Sequence, residues 1–165
     1  MFTVGILTIS DKGSRGERQD RSGEAIREVL SGADVSISGY DIVPDEKDLI
    51  IEKLVNWADD DNLDVVITTG GTGLTPRDVT PEATLAVVDR IVPGFAEAMR
   101  AESLKKTPHA MLSRSVAGTR GKCLIINLPG SPKAVRECLQ VILPALPHAV
   151  ETLKDQAGEC GAAEA

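Results

Sequence analysis

A chain of 165 residues has room for one domain with a sizeable apolar core and is short for two. Hydrophobic residues make up 42% of it but aromatics only 2%, so the core must be built from Val, Ile, Leu and Ala; this favours buried aliphatic strands in an α/β fold over a sandwich that relies on aromatic pairs. The net charge of −7 argues against a nucleic-acid-wrapping surface, no apolar run reaches transmembrane length, and the N-terminus lacks the basic start of a signal peptide.

Phe2 to Ile9 is an apolar, β-branched run that reads as a buried strand, ending in Ser10-Asp11 and a polar stretch reaching about Asp20. Ser22 to Leu30 carries Ala25, Ile26, Val29 and Leu30 at helical spacing. Val35 to Val43 reads as a second strand, broken by Pro44-Asp45, and Leu49, Ile50, Leu54 and Trp57 mark the next helix. Asp64 to Thr69 is a third strand. The loop Gly70 to Val79 follows, and Thr80-Pro81 opens a helix with proline in its first turn. A further helix is expected over Phe95 to Leu104. Ser113 to Ala117 and Lys122 to Leu128 read as two strands around the turn signal Gly118-Thr119-Arg120-Gly121. Pro132 starts another helix, and Pro144 and Pro147 separate it from a last short one. Residues 1–155 are expected to form a single domain and 156–165 a disordered tail.

Alternating strands and helices with one late hairpin imply a three-layer α/β/α sandwich around a mostly parallel open sheet. In such sheets ligands bind outside the carboxyl ends of the strands. The segments expected there are Ser10-Asp11, Pro44-Asp45, Gly70 to Asp78 and Asn127 to Ser131, all rich in small or acidic residues. An anionic ligand on an acidic protein needs local devices: backbone N–H groups, a few cations, or a metal.

Gly70-Gly71-Thr72-Gly73 lies between a buried strand and a helix, where glycines let N–H groups close on an anion. The same string reads equally as a tight turn that binds nothing, and it is neither a GKS/GKT phosphate loop nor GxGxxG. Asp45 and Asp78 follow consecutive strands; two carboxylates without His or Cys suit a hard cation such as Mg²⁺. Taken singly, Asp45 reads as well as a helix N-cap and Asp78 as an Asx-turn residue; their joint position beside the glycine loop favours the site. Asn127-Leu128-Pro129-Gly130-Ser131-Pro132 ends a strand and opens a helix whose free N-terminus can hold a phosphate, with Ser131 placed as N-cap. Ser113-Arg114 offers a hydroxyl and a forked cation, although Arg114 alone fits a surface ion pair as well. His109 and His148 lack metal-like spacing. Cys123, Cys138 and Cys160 are too few and too scattered for a disulfide framework, which points to a reducing cytoplasm.

The strings TTGGTGLTPRDVTPEAT (Thr68 to Thr84), MLSRSVAGTRGKCLIINLPGSPKAV (Met111 to Val135) and the early TISDKGSRGERQDRSG closely resemble the MogA/MoaB family, from about Thr3 to Leu153. The resemblance extends to matching domains of gephyrin-type proteins. It implies trimers, or in some members hexamers. It also implies Mg²⁺-dependent transfer of AMP from ATP to the terminal phosphate of molybdopterin, the product passing to the enzyme that inserts molybdate. By resemblance, Asp45 and Asp78 hold Mg²⁺ and serve catalysis, while Gly70, Gly71, Thr72 and Gly73 meet the nucleotide phosphates. Ser113 and Asn127, with Pro129, Gly130 and Ser131, correspond to the pterin and phosphate pocket, and Arg114 is grouped with Ser113. Ser10, Asp11 and Asp20 match the early motif. Ile91 to Phe95 and Met99 offer apolar surface for an interface between subunits. The competing readings are a non-catalytic molybdopterin-binding or carrier protein, against which the intact acidic pair speaks, and a scaffold domain.

Overall fold

The computed structural model describes residues 1–155, so the tail expected at 156–165 lies outside the described residues. Six strands form one sheet: β1 (Phe2–Ile9), β2 (Val35–Val43), β3 (Val65–Thr69), β4 (Arg90–Ile91), β5 (Ala117–Arg120) and β6 (Cys123–Leu128), in the order β2-β1-β3-β6-β5-β4. The pairs β1–β2, β1–β3 and β3–β6 are parallel, whereas β5–β6 and β4–β5 are antiparallel. This is the expected open, mostly parallel sheet with a late hairpin.

Period-two alternation divides the apolar residues of the central strands between two cores. Val4, Ile6, Val65, Ile67, Leu124, Ile126 and Leu128 pack on one face with α2 (Arg21–Leu30), α5 (Pro93–Leu104), α6 (Pro132–Ile142) and α7 (Leu146–Leu153). Leu7, Ile9, Val66, Cys123 and Ile125 pack on the other with α3 (Lys47–Val55), α4 (Thr80–Val87) and Trp57. Both faces of the central strands β1, β3 and β6 are therefore dry, which is why they read as largely aliphatic runs, whereas the edge strand β2 is only partly buried. The large indole fits because β1 and β2 are thinned to glycine beneath it. A Cβ at Gly5 would lie 2.7 Å from both the Trp57 ring and Leu63. Gly39 pairs with Gly5 just after a register shift in β1–β2, and its Cβ would come 3.1 Å from the same indole.

Four local expectations change. The strand read at Ser113 to Ala117 begins only at Ala117 and runs to Arg120, so the hairpin turn falls at Gly121-Lys122, where Gly121 adopts φ +53°. Ser113 to Ser115 are held outside the ladder, with Arg100 bonding the Ser113 and Ser115 carbonyls, whereas the Val116 carbonyl already accepts from the Asn127 N–H of β6. A short helix α1 (Asp11–Ser14) and the two-residue edge strand β4 arise where the sequence shows no periodicity. Finally Met99, expected to supply apolar surface for a subunit interface, is 3% exposed and belongs to the chain's own core, whereas Ile91 is 58% exposed.

Asp64, at the mouth of β3, ties the amino-terminal end of the sheet together. Its Oδ2 accepts from the Thr3 N–H (2.8 Å) and hydroxyl (3.1 Å), and its Oδ1 meets Lys154 Nζ at 2.6 Å. Burial pushes the carboxyl up, but the bonds from Lys154 and Thr3 outweigh it and hold it below its ordinary value of 3.8. A depressed carboxylate contributes stability above its unfolded value and loses it as pH falls through the folded one. Asp64→Asn is therefore expected to cost about 1–3 kcal/mol near neutral pH in urea unfolding, the loss of charged hydrogen bonds. The gap from the parent should close as pH drops below the ordinary aspartate range; a gap independent of pH would contradict the assignment.

Candidate functional site

The connection from β1 leads to β2 on one side, and the chain then returns to lay β3 on the other. In open α/β sheets such a reversal of direction opens a crevice at the carboxyl ends of the strands. Here it forms a cleft of about 560 Å³. Thr8 to Ser10 from the end of β1, Thr69 to Gly71 from the end of β3, and Gly130 and Pro132 after β6 form its base; Asp45, Asp78 and the segment Arg18 to Ser22 complete its walls.

The glycine string is needed for conformation as well as for space. Gly70 and Gly71 sit at φ +95° and +67°, where side chains are disfavoured. A Cβ on Gly70 would strike the Ile9 carbonyl, and one on Gly71 the Thr80 hydroxyl. That hydroxyl donates to the Gly70 carbonyl at 2.9 Å, and the Thr80 N–H donates to the Gly71 carbonyl at 3.1 Å. The loop is thus stitched through its carbonyls. The N–H groups of Gly71, Thr72 and Gly73 have no acceptor among the described residues. A run of uncommitted amides at the end of a strand is an anion nest.

Neither acidic residue is occupied with helix capping. Glu46 and Val79 are the N-caps of α3 and α4, and neither position has a side-chain cap. Asp45 Oδ2 accepts from the Asp11 N–H (2.9 Å), and the Asp45 N–H donates back to Asp11 Oδ1 (3.0 Å). Asp78 Oδ2 accepts from the Thr75 N–H (2.9 Å) and hydroxyl (2.8 Å). Each carboxylate therefore keeps one oxygen without a protein partner among the described residues. Burial pushes the Asp45 carboxyl above its ordinary value, and the negative charges of Asp11 and Asp78 add to the effect. Asp11 moves the other way because Arg77 donates to both its oxygens.

A second cleft, of about 310 Å³ and mostly apolar, lies between α5 and α6 on the far side of the glycine loop. Ser113, Thr72, Gly73 and Pro129 line this cleft, whereas Ser10, Gly70, Gly71 and Gly130 line the first. The single expected site is thus two clefts separated by one ridge, built from Gly70 to Gly73 and Pro129-Gly130.

The remaining expected residues line neither cleft. Asn127 is wholly buried: its amide donates to the hydroxyls of Thr68 (3.0 Å) and Thr84 (2.9 Å), and its oxygen accepts from the Val116 N–H (3.3 Å). It joins β6, β3 and α4 and has nothing left for a ligand, which corrects its expected place in the pocket. Arg114 donates to the carbonyls of Gly73 and Asp78, both at 2.7 Å, and pairs with Glu82, so it clamps the glycine loop to α4. Asp11 braces Asp45, and Ser131 caps α6 through the Ala134 N–H.

Sequence reading did not anticipate the wall from Arg18 to Ser22, nor Arg100, Glu137 and Cys138 in the second cleft. Asp20 was visible in the early motif; it caps α2 and accepts from Thr8 (2.7 Å), Gly23 (2.9 Å) and the Tyr40 hydroxyl. The only signal for Arg100 and Glu137 was their position one helical turn or less from residues that turn inward.

Comparison with known proteins gives a consistent result. A family model described as a probable molybdopterin binding domain matches residues 5–148. The chain is 50% identical over 152 residues to the molybdopterin adenylyltransferase of Helicobacter pylori, spanning 91% of this chain and 86% of that protein. Identity to the molybdopterin adenylyltransferase of Escherichia coli is 44% over 144 residues, spanning 86% and 74% respectively. The crystal structure of the molybdopterin biosynthesis enzyme MoaB from Thermus thermophilus superimposes with a TM-score of 0.89 at 58% identity, covering 94% of this chain and 98% of that one.

Asn127→Leu separates an architectural role from ligand contact. It leaves the Val116 N–H and two buried threonine hydroxyls without their partner, so unfolding stability is expected to fall by about 1–3 kcal/mol. Unchanged stability with weakened ligand binding would return Asn127 to the pocket.

Proposed function

The chain belongs to the family of molybdopterin-binding domains, and on that premise we infer that it is a molybdopterin adenylyltransferase, moving AMP from ATP to the terminal phosphate of molybdopterin. The observation that carries the assignment of sites is the ridge. On one side lies a polar cleft lined by Gly71 and two half-committed carboxylates; on the other lies a mostly apolar cleft of about 310 Å³ lined by Thr72 and Gly73, and the uncommitted amides run along the ridge between them. The ATP phosphates suit the first cleft and the pterin suits the second, so the two substrates meet over Gly71 to Gly73.

The attacking oxygen belongs to molybdopterin's phosphate, which is ionised near neutral pH, so no protein base is required. A new P–O bond forms at the α-phosphorus of ATP as the bond to the leaving pyrophosphate breaks. The amides of Gly71, Thr72 and Gly73 hold the charge that develops on the phosphorus oxygens, and the stitched carbonyls keep those amides from relaxing during the step. Arg18 and Arg21, which have no carboxylate partner among the described residues, add positive charge at the outer wall. Arg114 keeps Gly73 and Asp78 in register.

Asp45 and Asp78 fit Mg²⁺. No three His, Cys, Asp or Glu side chains among the described residues make a closed metal cage. A carboxylate pair with open positions is the arrangement Mg²⁺ uses when nucleotide oxygens and waters complete its shell. When bound, the ion would neutralise phosphate charge during transfer.

We place the reaction in the cytoplasm, where the buried thiols Cys123 and Cys138 stay reduced, with the product passing to a molybdate-inserting enzyme. We also assign a homotrimer, with hexamers as the larger form of the same assembly, supported by the exposed side chains of Ile91, Met111 and Leu112.

Incubation with molybdopterin, Mg²⁺ and ATP labelled at the α-phosphate is expected to give labelled adenylyl-molybdopterin. Asp78→Asn should lower the rate roughly a hundredfold or more while leaving the fold unchanged, because the amide cannot match the cation's charge. A folded Asp78→Asn protein with normal turnover would exclude the carboxylate pair, and binding of both substrates without product would favour a carrier. Light scattering at two salt concentrations should return three or six chains; the mass of one chain at both would reject the assembly.

A further inference from the structure

The second cleft is mostly apolar in surface, with the hydroxyls of Thr72, Ser103, Thr107, Ser113 and Ser115 and the His109 ring along it, and Arg100 and Glu137 are the cation and the anion of its lining. Arg100 lies on α5, one turn before Ser103, and Glu137 lies on α6, next to Cys138; both line the cleft. The two helices close on each other where Ser103 Oγ and Cys138 Sγ approach to 3.6 Å. Arg100 is unusual for a half-buried cation in having no carboxylate partner among the described residues. Its Nη1 donates to the carbonyls of Ser115 (2.9 Å) and Ser113 (3.3 Å), which fixes the guanidinium and leaves Nε and Nη2 uncommitted. Glu137 meets Lys106 through Oε1 at 3.3 Å, and its Oε2 has no partner among the described residues. A pinned donor fork and a free carboxylate oxygen lining one mostly apolar cleft suit a ring ligand that carries both an acceptor and donors at its edge.

We propose that Arg100 and Glu137 are the residues that read the pyrimidine edge of the pterin, Arg100 donating to the C4 oxo group and Glu137 accepting from N3–H and the 2-amino group. The proposal rests on the reading that the second cleft takes the pterin of molybdopterin. Adenine fits the pair poorly: it has no oxo group for Arg100, and its ring nitrogen beside the amino group is an acceptor facing a carboxylate. The pair therefore orients the two substrates, keeping the nucleotide base out of the slot meant for the acceptor. A site built to satisfy specific donors and acceptors rejects analogues strongly, because mismatched groups stay buried and unpaired.

Two small fluorescent rings test this directly. Pterin carries the 2-amino group; lumazine has an oxo group in its place and shares the C4 oxo. The parent protein is expected to bind pterin roughly tenfold or more tightly than lumazine, the scale of one charged hydrogen bond. Glu137→Gln should remove that preference, since a carboxamide can donate to lumazine's oxo group. Arg100→Gln should weaken both rings alike. Mg-ATP affinity should stay at the parent value in both variants, and in the full reaction KM for molybdopterin should rise while kcat holds. A pterin preference that survives Glu137→Gln, an Arg100→Gln protein with unchanged affinity for both rings, or a parent that binds neither ring would each overturn the proposal. A parent that binds pterin selectively through Glu137 yet makes no adenylyl-molybdopterin would sink the transferase reading and support this one.

Discussion

Everything at the site depends on how the chain leaves β3. Gly70 must pass so close to the Ile9 carbonyl that no side chain fits, and with Gly71 it turns the backbone through left-handed conformations. Thr80 then fastens the turn into α4 through both its hydroxyl and its N–H. This consumes the carbonyls of the loop and leaves its amides free, so the same constraint that ends the strand also creates an anion-binding surface. It also raises the ridge that separates a polar cleft from an apolar one. A loop without those glycines would need more room, and the two clefts would lose their common wall.

The second organising feature is the disposition of charge. A chain with a net charge of −7 has to receive two anionic substrates. It gathers carboxylates at the cleft, where Asp45 is raised by burial and by its acidic neighbours, a cost that a bound cation would relieve. The nearby arginine Arg77 is spent on Asp11 and Glu46 and does not neutralise Asp45 by direct contact. Arg114 is likewise spent on loop carbonyls and Glu82. The cations nearest the substrates thus position acids and backbone, while Arg100, Arg18 and Arg21 stay open to ligands.

Beneath the site the polar groups are closed off from water and fully paired: no buried side-chain nitrogen or oxygen among the described residues lacks a hydrogen bond. The knot of Asn127, Thr68 and Thr84 illustrates the principle. Thr68 and Asn127 interrupt aliphatic strands on the face that carries α4, and through Thr84 of that helix they lock it to β3 and β6 just below the glycine loop. Satisfied polar contacts in a dry core specify register in a way that aliphatic packing alone does not.

The layered fold, the strand identities and the acid–glycine constellation were legible in the sequence because each is local. A dry strand such as Val65 to Thr69 shows its aliphatic run Val65-Val66-Ile67 before the two buried threonines, and left-handed turns need glycine at Gly70 and Gly71. The resemblance of Thr68 to Thr84 and Met111 to Val135 to one family carried the chemistry. What the sequence could not contain was the distinction between a residue that touches a ligand and one that holds its neighbour. Asn127, Arg114, Asp11 and Ser131 sit inside strings of small and polar residues that look like binding loops, but their hydrogen bonds are spent on the protein. Ser113 fell in a different cleft from Gly70 because the backbone from Ser113 to Ser115 stays out of the ladder, held by Arg100. Arg100 and Glu137 share a cleft only because β6 and the helices after it bring α5 and α6 side by side. Spacing along one chain determines which face of a helix a residue occupies; only packing between elements far apart in sequence decides what that face meets.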